Sequence, residues 1–482
     1  MAHLYVIVVL VSLHLAGTGG FGLLPATVPW WAAWPLVLTP FIVLGVLVTL
    51  VSAWCTRRLD RRGDLRAITL AHRAFALART LALVWHLAAV FLLGLLGLVR
   101  RFTGDLVLVD ELIASIPALA LLLWTYRLAH PIERRLRAAV MIRDLDEGRP
   151  IYAFPGPWAY VLGAVRNNLS IMAVPLVLIL GWAEVLDRIF EASGLLAGAG
   201  QDSLLLYVEP AVQIAGALLI FSLIPPLMVK VWDTVKIPPG ELRDGLETLA
   251  RTHKIRVRDF LIWRTGGMML NGAVIGLTPW LRYIVLTDAL LDNLPEIEVE
   301  AVAAHEVAHV RRRHMVWLAI SVLGSAMVLG EASMLVSREW SLGELAETWI
   351  GGVVTLVGVL LVLGAVSRRF EWQSDAFAAK HLTRQLAGDD ASTVSPQAAD
   401  AMSNALARVS RLNGMPQKKF TWRHGSIATR RKRLAALVGQ PLDRLRIDRH
   451  VRTVLVLAAI AFLAGLALTA AGMMGWPPYA GA

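Results

Sequence analysis

The sequence predicts a mainly α-helical, multi-pass membrane protein that also carries a small α+β domain. Its 482 residues are 56% hydrophobic and only 17% charged, and the mean hydropathy is +0.60. Soluble domains, by comparison, are about half apolar and about a quarter charged. Several apolar windows approach or exceed the roughly 17–25 residues that cross a bilayer. One polar stretch between them instead carries short β-prone runs separated by glycine.

Nine apolar windows are the candidate membrane spans. They are Leu4–Ala16, Leu36–Trp54, Phe75–Val99, Leu106–Tyr126, Leu169–Val185, Leu204–Val231, Met315–Val336, Trp349–Val366 and Thr453–Met474. The first window is short, which also fits the core of a signal peptide. It lacks the basic segment and the clear A-x-A site that a signal peptide carries, so we interpret it as a first span.

The charges between the spans predict their orientation. Arginines concentrate in residues 55–73 and 127–166, whereas the stretches after Gly181 and Val336 are acidic. Basic loops stay on the cytoplasmic side. Nine spans that begin inside then alternate without conflict, in the inner cell membrane or an equivalent bilayer. The formal net charge of +11 is explained by this orientation, and we expect the lipid bilayer and no nucleic acid as partner.

The largest polar stretch between spans predicts a helix followed by a small sheet. Residues 237–240 (IPPG) end the preceding helix, and Glu241–Thr252 has an amphipathic helical pattern. Val257–Trp263, Gly266–Ile275 and Tyr283–Leu286 are β-prone. The exposed edge of such a sheet can hold a substrate chain as one more strand. The alternative is that these strands only pack against the helix that follows.

A zinc-binding pattern lies on that following helix. His305, Glu306 and His309 form H-E-x-x-H, and positions four apart share one face of a helix. Two imidazoles can therefore bind one metal ion, while Glu306 lies near the metal and can take a proton from water. The single cysteine, Cys55, excludes an intrachain disulfide and a cysteine-based zinc site.

The third ligand is predicted beyond a hairpin of two spans. Glu371 and Asp375 lie four residues apart on a strongly helical stretch, and Arg368 shares their face. We expect Glu371 to bind the metal, Asp375 to orient a ligand histidine, and both Asp375 and Arg368 to lie directly behind the metal ligands. His314 follows His305 by nine residues, about 180° away on a straight helix, and is excluded as a ligand.

The two motifs together resemble the membrane-embedded zinc endopeptidases of the CAAX prenyl protease and HtpX type. In that family HExxH is followed by S-R-x-x-E-x-x-A-D, which Ser367, Arg368, Glu371 and Asp375 match, with Ser374 in place of Ala. The resemblance covers about residues 230–437. It implies a small gluzincin-like α+β zinc-peptidase domain at the cytoplasmic membrane surface, and a zinc metalloendopeptidase activity.

The resemblance also implies roles for residues outside these motifs. The family has an asparagine on the strand before the motif helix and a glycine five positions later, which Asn271 and Gly276 match. Gly272 stands where alanine is usual, and this strand would bind the substrate backbone. His424 and Arg430 resemble a His-Pro and an arginine of the family, with Gly425 in place of proline. Both would act in catalysis, with His424 meeting the oxyanion.

Five segments and one zinc ion per chain make up the predicted organisation. The segments are 1–230 (about six spans), 231–314 (substrate strand and HExxH), 315–367 (span hairpin), 368–451 (third ligand) and 452–482 (last span). The expected reaction is hydrolysis of peptide bonds in membrane or membrane-associated proteins by Glu306-assisted attack of water on the peptide carbonyl. The alternative is a non-catalytic protease-like receptor or a transporter, although an internal repeat that would support a transporter is not visible.

Overall fold

The structure is a computed structural model that describes residues 2–19, 29–146, 148, 150–194, 208–339, 344–388 and 390–473. The chain forms two compact units, Met1–Asp233 and Thr234–Ala482.

The first unit is built of helices. These are α1 (Ala2–Gly19), α2 (Trp30–Arg62), α3 (Arg66–Phe91), α4 (Leu95–Thr103), α5 (Val109–Asp146), α6 (Pro157–Ala164), α7 (Ser170–Ser193) and α8 (Val208–Val231). A π-helical turn over Val165–Leu169 joins α6 to α7. The short apolar helix α1 is buried along one side, where the Tyr5 hydroxyl donates to the Ala118 carbonyl at 2.9 Å.

The second unit combines a small sheet with helices. Its helices are α9 (Glu241–Thr252), α10 (Asp288–Asn293), α11 (Glu296–Arg311), α12 (His314–Glu339), α13 (Glu344–Ala387), α14 (Pro396–Leu412), α15 (Ile427–Ala435) and α16 (Arg446–Met473). Its strands are β1 (Thr234–Lys236), β2 (Asp259–Trp263), β3 (Gly272–Ile275) and β4 (Tyr283–Thr287).

The four strands form one sheet in the order β1-β2-β4-β3. The central pair, β2 and β4, is parallel, and the two outer strands pair antiparallel to it. The three strands expected from the sequence are present, with β3 shorter than Gly266–Ile275. Strand β1 is too short at three residues to leave a period-two pattern in the sequence. The sheet thus has β3 at one edge.

Helix α11 lies at the centre of the hydrophobic core of the second unit. Its small side chains Ala301, Ala303 and Ala304 are fully buried, in one cluster with residues of β4, α13 and α14. Small side chains let neighbouring helix backbones approach closely. The core therefore surrounds the HExxH helix and holds it rigidly.

Among the described residues, eight helices are long and apolar enough to cross a membrane. Each of them overlaps one of the eight longer predicted windows, and the protein is an integral multi-pass membrane protein. Two window ends lie outside the described residues: residues 204–207 of the Leu204–Val231 window and residue 474 of the Thr453–Met474 window. Helix α1 is apolar but shorter, so its assignment as a ninth span stays a prediction.

The predicted span Phe75–Val99 is wrong in one respect. The helix ends at Phe91, and a second, separate helix begins at Leu95. Gly94 between them adopts a left-handed conformation with φ +67°, which suits a residue without a β-carbon and breaks the helix. Glycine at 94 and 97 is the sequence signal for this break, within a run otherwise too apolar to reveal it.

A buried ion network stabilises the first unit. The Arg100 guanidinium bonds to the carboxylates of Asp110 and Glu111, and Asp110 is fully buried. Arg188 binds Glu184 at 2.7 Å and Asp105 at 3.2 Å. Glu184 is thus paired with Arg188. Arg100 and Arg188 together place two cations among four carboxylates.

Replacing Arg100 should destabilise the first unit because Asp110 would be left buried without its cation. We expect Arg100→Gln to cost about 3–5 kcal/mol, as for other broken buried pairs. Arg101→Gln is the matched control, since Arg101 is the exposed neighbour on the same helix. The measurement is thermal unfolding of the purified protein in detergent. Equal unfolding temperatures for the two variants would contradict a structural role for the network.

Candidate metal centre

Helix α11 presents two imidazoles to one point. His305 and His309 lie one turn apart, and their Nε2 atoms are 3.4 Å from each other. His305 is buried and His309 is half-buried. The spacing of HExxH on a regular helix produces this arrangement without any distortion of the backbone.

Glu371 completes the group from the neighbouring helix α13. Its Oε2 lies 3.6 Å from His305 Nε2, and its Oε1 lies 3.9 Å from His309 Nε2. Ligands at about 2.0–2.1 Å in a tetrahedron lie roughly 3.3 Å apart. The three donor atoms, all within 4.8 Å of one another, therefore fit one zinc ion. The structure thus brings together the three ligands that the sequence predicted.

Asp375 and Arg430 lie behind His305. His305 Nδ1 is 3.0 Å from Asp375 Oδ1, which places the ring proton on Nδ1 and leaves Nε2 free for a metal. Arg430 donates to both Asp375 oxygens, at 2.8 Å and 2.6 Å, and contacts Glu371 Oε2 at 3.0 Å. Arg430 is buried, so its guanidinium holds the two carboxylates in position rather than facing a substrate.

A second chain of hydrogen bonds lies behind His309. Gln373 Nε2 donates to Asp448 Oδ1 at 2.5 Å, and Gln373 Oε1 accepts from His314 Nε2 at 2.9 Å. The neutral His314 ring then offers Nδ1 as an acceptor, 3.1 Å from His309 Nδ1. His309 is thereby held with its Nε2 lone pair toward Glu371. Both ligand histidines have a fixed tautomer.

His314, Gln373 and Asp448 are the site residues that the sequence reasoning missed. His314 is not one of the three grouped ligands, in agreement with the sequence, but the straight-helix estimate of its position was wrong. Helix α11 ends at Arg311, and Arg313 turns the chain with φ +55°. His314 therefore begins the next helix facing His309, stacked on Phe370 at 4.2 Å. No local sequence signal marks this turn, because arginine rarely adopts positive φ.

The electrostatics of the centre favour a cation. Burial disfavours the imidazolium form of His305, but hydrogen bonds with Asp375 and Glu371 raise the pKa of His305 to about 9. Burial and the nearby charge of His305 lower the pKa of His309 to about 3. The carboxylates that favour a positive charge on His305 also favour a metal cation between the three ligands.

Glu306 lies between the ligand group and the edge strand β3. Burial, opposed by the charge of His305 and aided by that of Glu371, raises the pKa of Glu306 to about 7. The backbone N–H of Val274 on β3 donates to the Glu306 carboxylate. A β-carbon at Gly272 would lie 3.7 Å from Glu306 Cγ and 2.8 Å from Val302 Cγ1. Glycine at 272 therefore lets the strand approach the helix that carries Glu306.

The predicted substrate strand is at the open edge of the sheet. Asn271 pairs through its backbone with Thr287 on β4, and its side chain is exposed. Gly276 ends the strand with φ +104°, where a β-carbon would lie 2.2 Å from the Leu281 carbonyl oxygen. Only glycine fits this turn. Asn271, Gly272 and Gly276 are thus placed along one strand beside Glu306.

His424 reaches the centre from a short hairpin in which Thr421 and Gly425 exchange backbone hydrogen bonds. Its Nδ1 lies 2.8 Å from Glu371 Oε1, and the ring is half exposed. Because Nδ1 donates to Glu371, Nε2 can donate a further hydrogen bond only from the imidazolium form. Gly425 has φ +74°, which proline cannot adopt, so this turn differs from the His-Pro of the family it resembles.

Arg368 is not placed behind the ligands as the sequence predicted. Its Nη1 donates to the Trp422 carbonyl oxygen at 2.7 Å, and its guanidinium lies 5.5 Å from the Phe420 ring. The Trp422 indole packs on the same helix at Gly364, where a β-carbon would lie 2.6 Å from Trp422 Nε1. Arg368 therefore holds the hairpin that carries His424, one step removed from the ligands.

Comparison with known proteins points to one peptidase family. A profile described as Peptidase family M48 matches residues 241–438. Protease HtpX homolog 2 from Methanosarcina mazei is 31% identical over 103 residues, which cover 20% of this chain and 35% of that protein. Protease HtpX homolog from Thermoanaerobacter pseudethanolicus is 27% identical over 124 residues, covering 23% and 42%. The chain thus spans less than half the length of these relatives.

One solved structure aligns with most of the chain. The crystal structure of S. mikatae Ste24p aligns with 85% of this chain and 99% of that chain, at a TM-score of 0.45 and 15% sequence identity.

Removing His314 should weaken metal binding without removing a ligand. His314→Ala leaves His309 Nδ1 without its acceptor, and lost partners of this kind cost about 10–100-fold in metal affinity. His314→Asn keeps one acceptor and one donor and should retain most of the affinity. Chelator competition for zinc is the measurement. Equal affinities for the wild type and His314→Ala would show that His314 does not hold His309.

Proposed function

We propose that the protein is a zinc-dependent membrane endopeptidase of the CAAX prenyl protease and HtpX type, which the match of residues 241–438 to the profile of peptidase family M48 supports. The observation that carries this proposal is the convergence of His305, His309 and Glu371 beside Glu306 and an open strand edge. Binding of peptides and attack on their amide bonds both need this combination.

The three ligand residues would hold one zinc ion per chain. Zinc bound this way supplies Lewis acidity and makes water acidic enough to act as a nucleophile near neutral pH. Asp375 and Arg430 keep His305 and Glu371 in place, and His314 keeps His309 in place. These partners hold the donor atoms in position before the metal ion binds.

Glu306 is the proposed proton carrier. A pKa of about 7 lets its carboxylate take the proton of the attacking water and then return it to the leaving amine. Val274 N–H steadies the carboxylate from the strand side. The substrate would extend the sheet along β3, which places its carbonyl next to Glu306. The His424 ring, held by Glu371 through Nδ1, would face the oxyanion with Nε2.

The substrates proposed are membrane proteins or membrane-associated peptides. Helix α12 begins at His314, and α13 continues without a break from an apolar segment to Glu371 and Asp375. Both ligand helices therefore continue into, or directly precede, helices long enough to cross the bilayer. We therefore expect the zinc centre close to the membrane surface, on the side that the arginine-rich loops predict to be cytoplasmic. Removal of damaged membrane proteins and processing of lipidated chains both fit this location.

Replacing Glu306 separates zinc binding from chemistry. Glu306→Gln keeps the three ligands, so it should retain about one zinc per chain and lose about 10²–10⁴-fold in rate with the proton carrier. His305→Ala should lose the zinc itself. Metal analysis and cleavage of a mixed peptide library, followed by mass spectrometry, are the measurements.

Glu296→Gln is the matched control for this test, because Glu296 is exposed in the first turn of the same helix. It should leave both zinc content and cleavage unchanged. A Glu306→Gln enzyme with full activity would refute the proposed mechanism. A wild-type protein that binds zinc but cleaves nothing in the library would favour the protease-like receptor.

The packing of Trp422 against Gly364 of α13 should control the position of His424. In Gly364→Ala the new methyl group would displace the indole, and the His424 hairpin with it. Gly352→Ala on the same helix adds a methyl group that contacts nothing within 4 Å, and serves as the control. We expect Gly364→Ala alone to lower kcat, by about tenfold or more as for misplaced catalytic groups. Equal kcat values for both variants would exclude this positioning role.

A further inference from the structure

A second pocket lies in the same unit, separate from the zinc ligands. It has a volume of about 580 Å³ and is lined by residues of α9, α11 and α13. This volume is in the range of small-molecule sites, roughly 300–1,000 Å³. None of the residues assigned above to the ligands, the substrate strand or the His424 hairpin lines it.

The pocket is strongly cationic. Arg311, Arg312, Lys380 and Arg384 line it, against the single carboxylate of Glu300. Two of the four have a polar partner: Lys380 donates to the Leu442 carbonyl oxygen at 2.6 Å, and Arg312 lies 3.4 Å from Asp448. The guanidinium groups of Arg311 and Arg384 make no hydrogen bond or ion pair with described residues.

The one carboxylate in the pocket is already satisfied. Glu300 Oε1 lies 3.0 Å from His381 Nε2, and Oε2 accepts from Gln385 Nε2 at 2.7 Å. His381 Nδ1 in turn lies 3.1 Å from His253 Nε2. Glu300 therefore makes no ion pair with the four cations, and its single charge is outnumbered by theirs.

His253 lies among these cations. Burial lowers the pKa of His253 to about 4, and His381, Arg311, Arg384 and Lys380 act in the same direction. With four cations against one carboxylate, the pocket has a positive potential, which an anion would relieve.

We propose that this pocket binds a phosphate group, with Arg311 and Arg384 as its principal partners. Guanidinium groups match phosphate oxygens with paired, charge-assisted hydrogen bonds, and Arg311 and Arg384 are both exposed to an incoming anion. The group belongs either to free phosphate or to the headgroup of an anionic phospholipid. Arg311 lies three residues before the start of a helix long enough to cross the membrane, which puts the pocket within reach of headgroups.

A bound phosphate would bridge the two helices that carry the zinc ligands. Arg311 belongs to α11 with His305 and His309, and Arg384 belongs to α13 with Glu371. The anion would cancel the repulsion between the cations of the two helices. Binding should therefore stabilise the folded protein whether or not the protein is a peptidase.

Equilibrium dialysis of the full-length protein in neutral detergent against radiolabelled inorganic phosphate tests the proposal. The ionic strength is held constant with chloride. We expect saturable binding of about one phosphate per chain, and Arg311→Gln/Arg384→Gln should weaken it about tenfold or more, since two charge-assisted contacts are lost. Lys418→Gln/Arg444→Gln, which removes two exposed cations outside the pocket, should bind like the wild type.

A second variant, Thr252→Glu, tests the proposal even if the double variant fails to fold. Thr252 is exposed and lines the pocket, so Thr252→Glu should leave the fold intact and oppose phosphate binding. A second arm repeats the dialysis in nanodiscs of phosphatidylcholine, with or without phosphatidylglycerol. Loss of phosphate binding only with phosphatidylglycerol identifies a lipid headgroup as ligand, and unchanged binding identifies free phosphate.

Two outcomes would overturn the proposal. One is the absence of saturable phosphate binding both in detergent and in phosphatidylcholine nanodiscs. The other is equal binding by the wild type, the double variant and Thr252→Glu, which would place the phosphate elsewhere on the protein.

Discussion

The close packing of α11 against α13 is the constraint on which the rest of the second unit depends. The two helices run antiparallel, since His305 faces Asp375 while Glu300, one turn earlier, faces His381. Alanines on both helices are fully buried in the shared core. Small side chains allow the short separation that puts Glu371 within 3.9 Å of both histidines.

That packing also explains why the centre needs so many polar partners. Glu371 and Asp375 are buried carboxylates, which would be unstable without compensating charge. Arg430 supplies part of it, and His305 and His424 supply hydrogen bonds. On the other side of α11, a chain of hydrogen bonds through His314, Gln373 and Asp448 satisfies the Nδ1 atom of His309. The tautomers of the two ligand histidines are thus set by these two groups of polar partners.

Local patterns account for what the sequence could predict. The helical period predicted α9 at its observed bounds, and the apolar windows predicted where the membrane helices lie, although α5 and α13 continue well past their windows, to Asp146 and Ala387. Helical spacing alone predicts that His305 and His309 share one face of their helix, and that Glu371 and Asp375 share one face of theirs. Contacts that depend on tertiary packing could not be predicted from the sequence. Arg368 shares a face with Glu371 as expected, yet it turns to the Trp422 carbonyl, and His314 is placed by a turn at an arginine with positive φ.

The membrane sets the remaining part of the geometry. Helix α13 is uninterrupted from Glu344 to Ala387, so its apolar segment and Glu371 move as one rigid body. The Trp422 indole packs against Gly364 on that segment. The hairpin that contains Trp422 also carries His424, which contacts Glu371. The same helix, further along, contributes Lys380 and Arg384 to the cationic pocket. A change in the tilt or depth of α13 would therefore move the third ligand, His424 and the pocket residues of α13 together. A phosphate held between α11 and α13 would oppose such a change, because it would link the helix of the two histidines to the helix of the glutamate by charge as well as by packing.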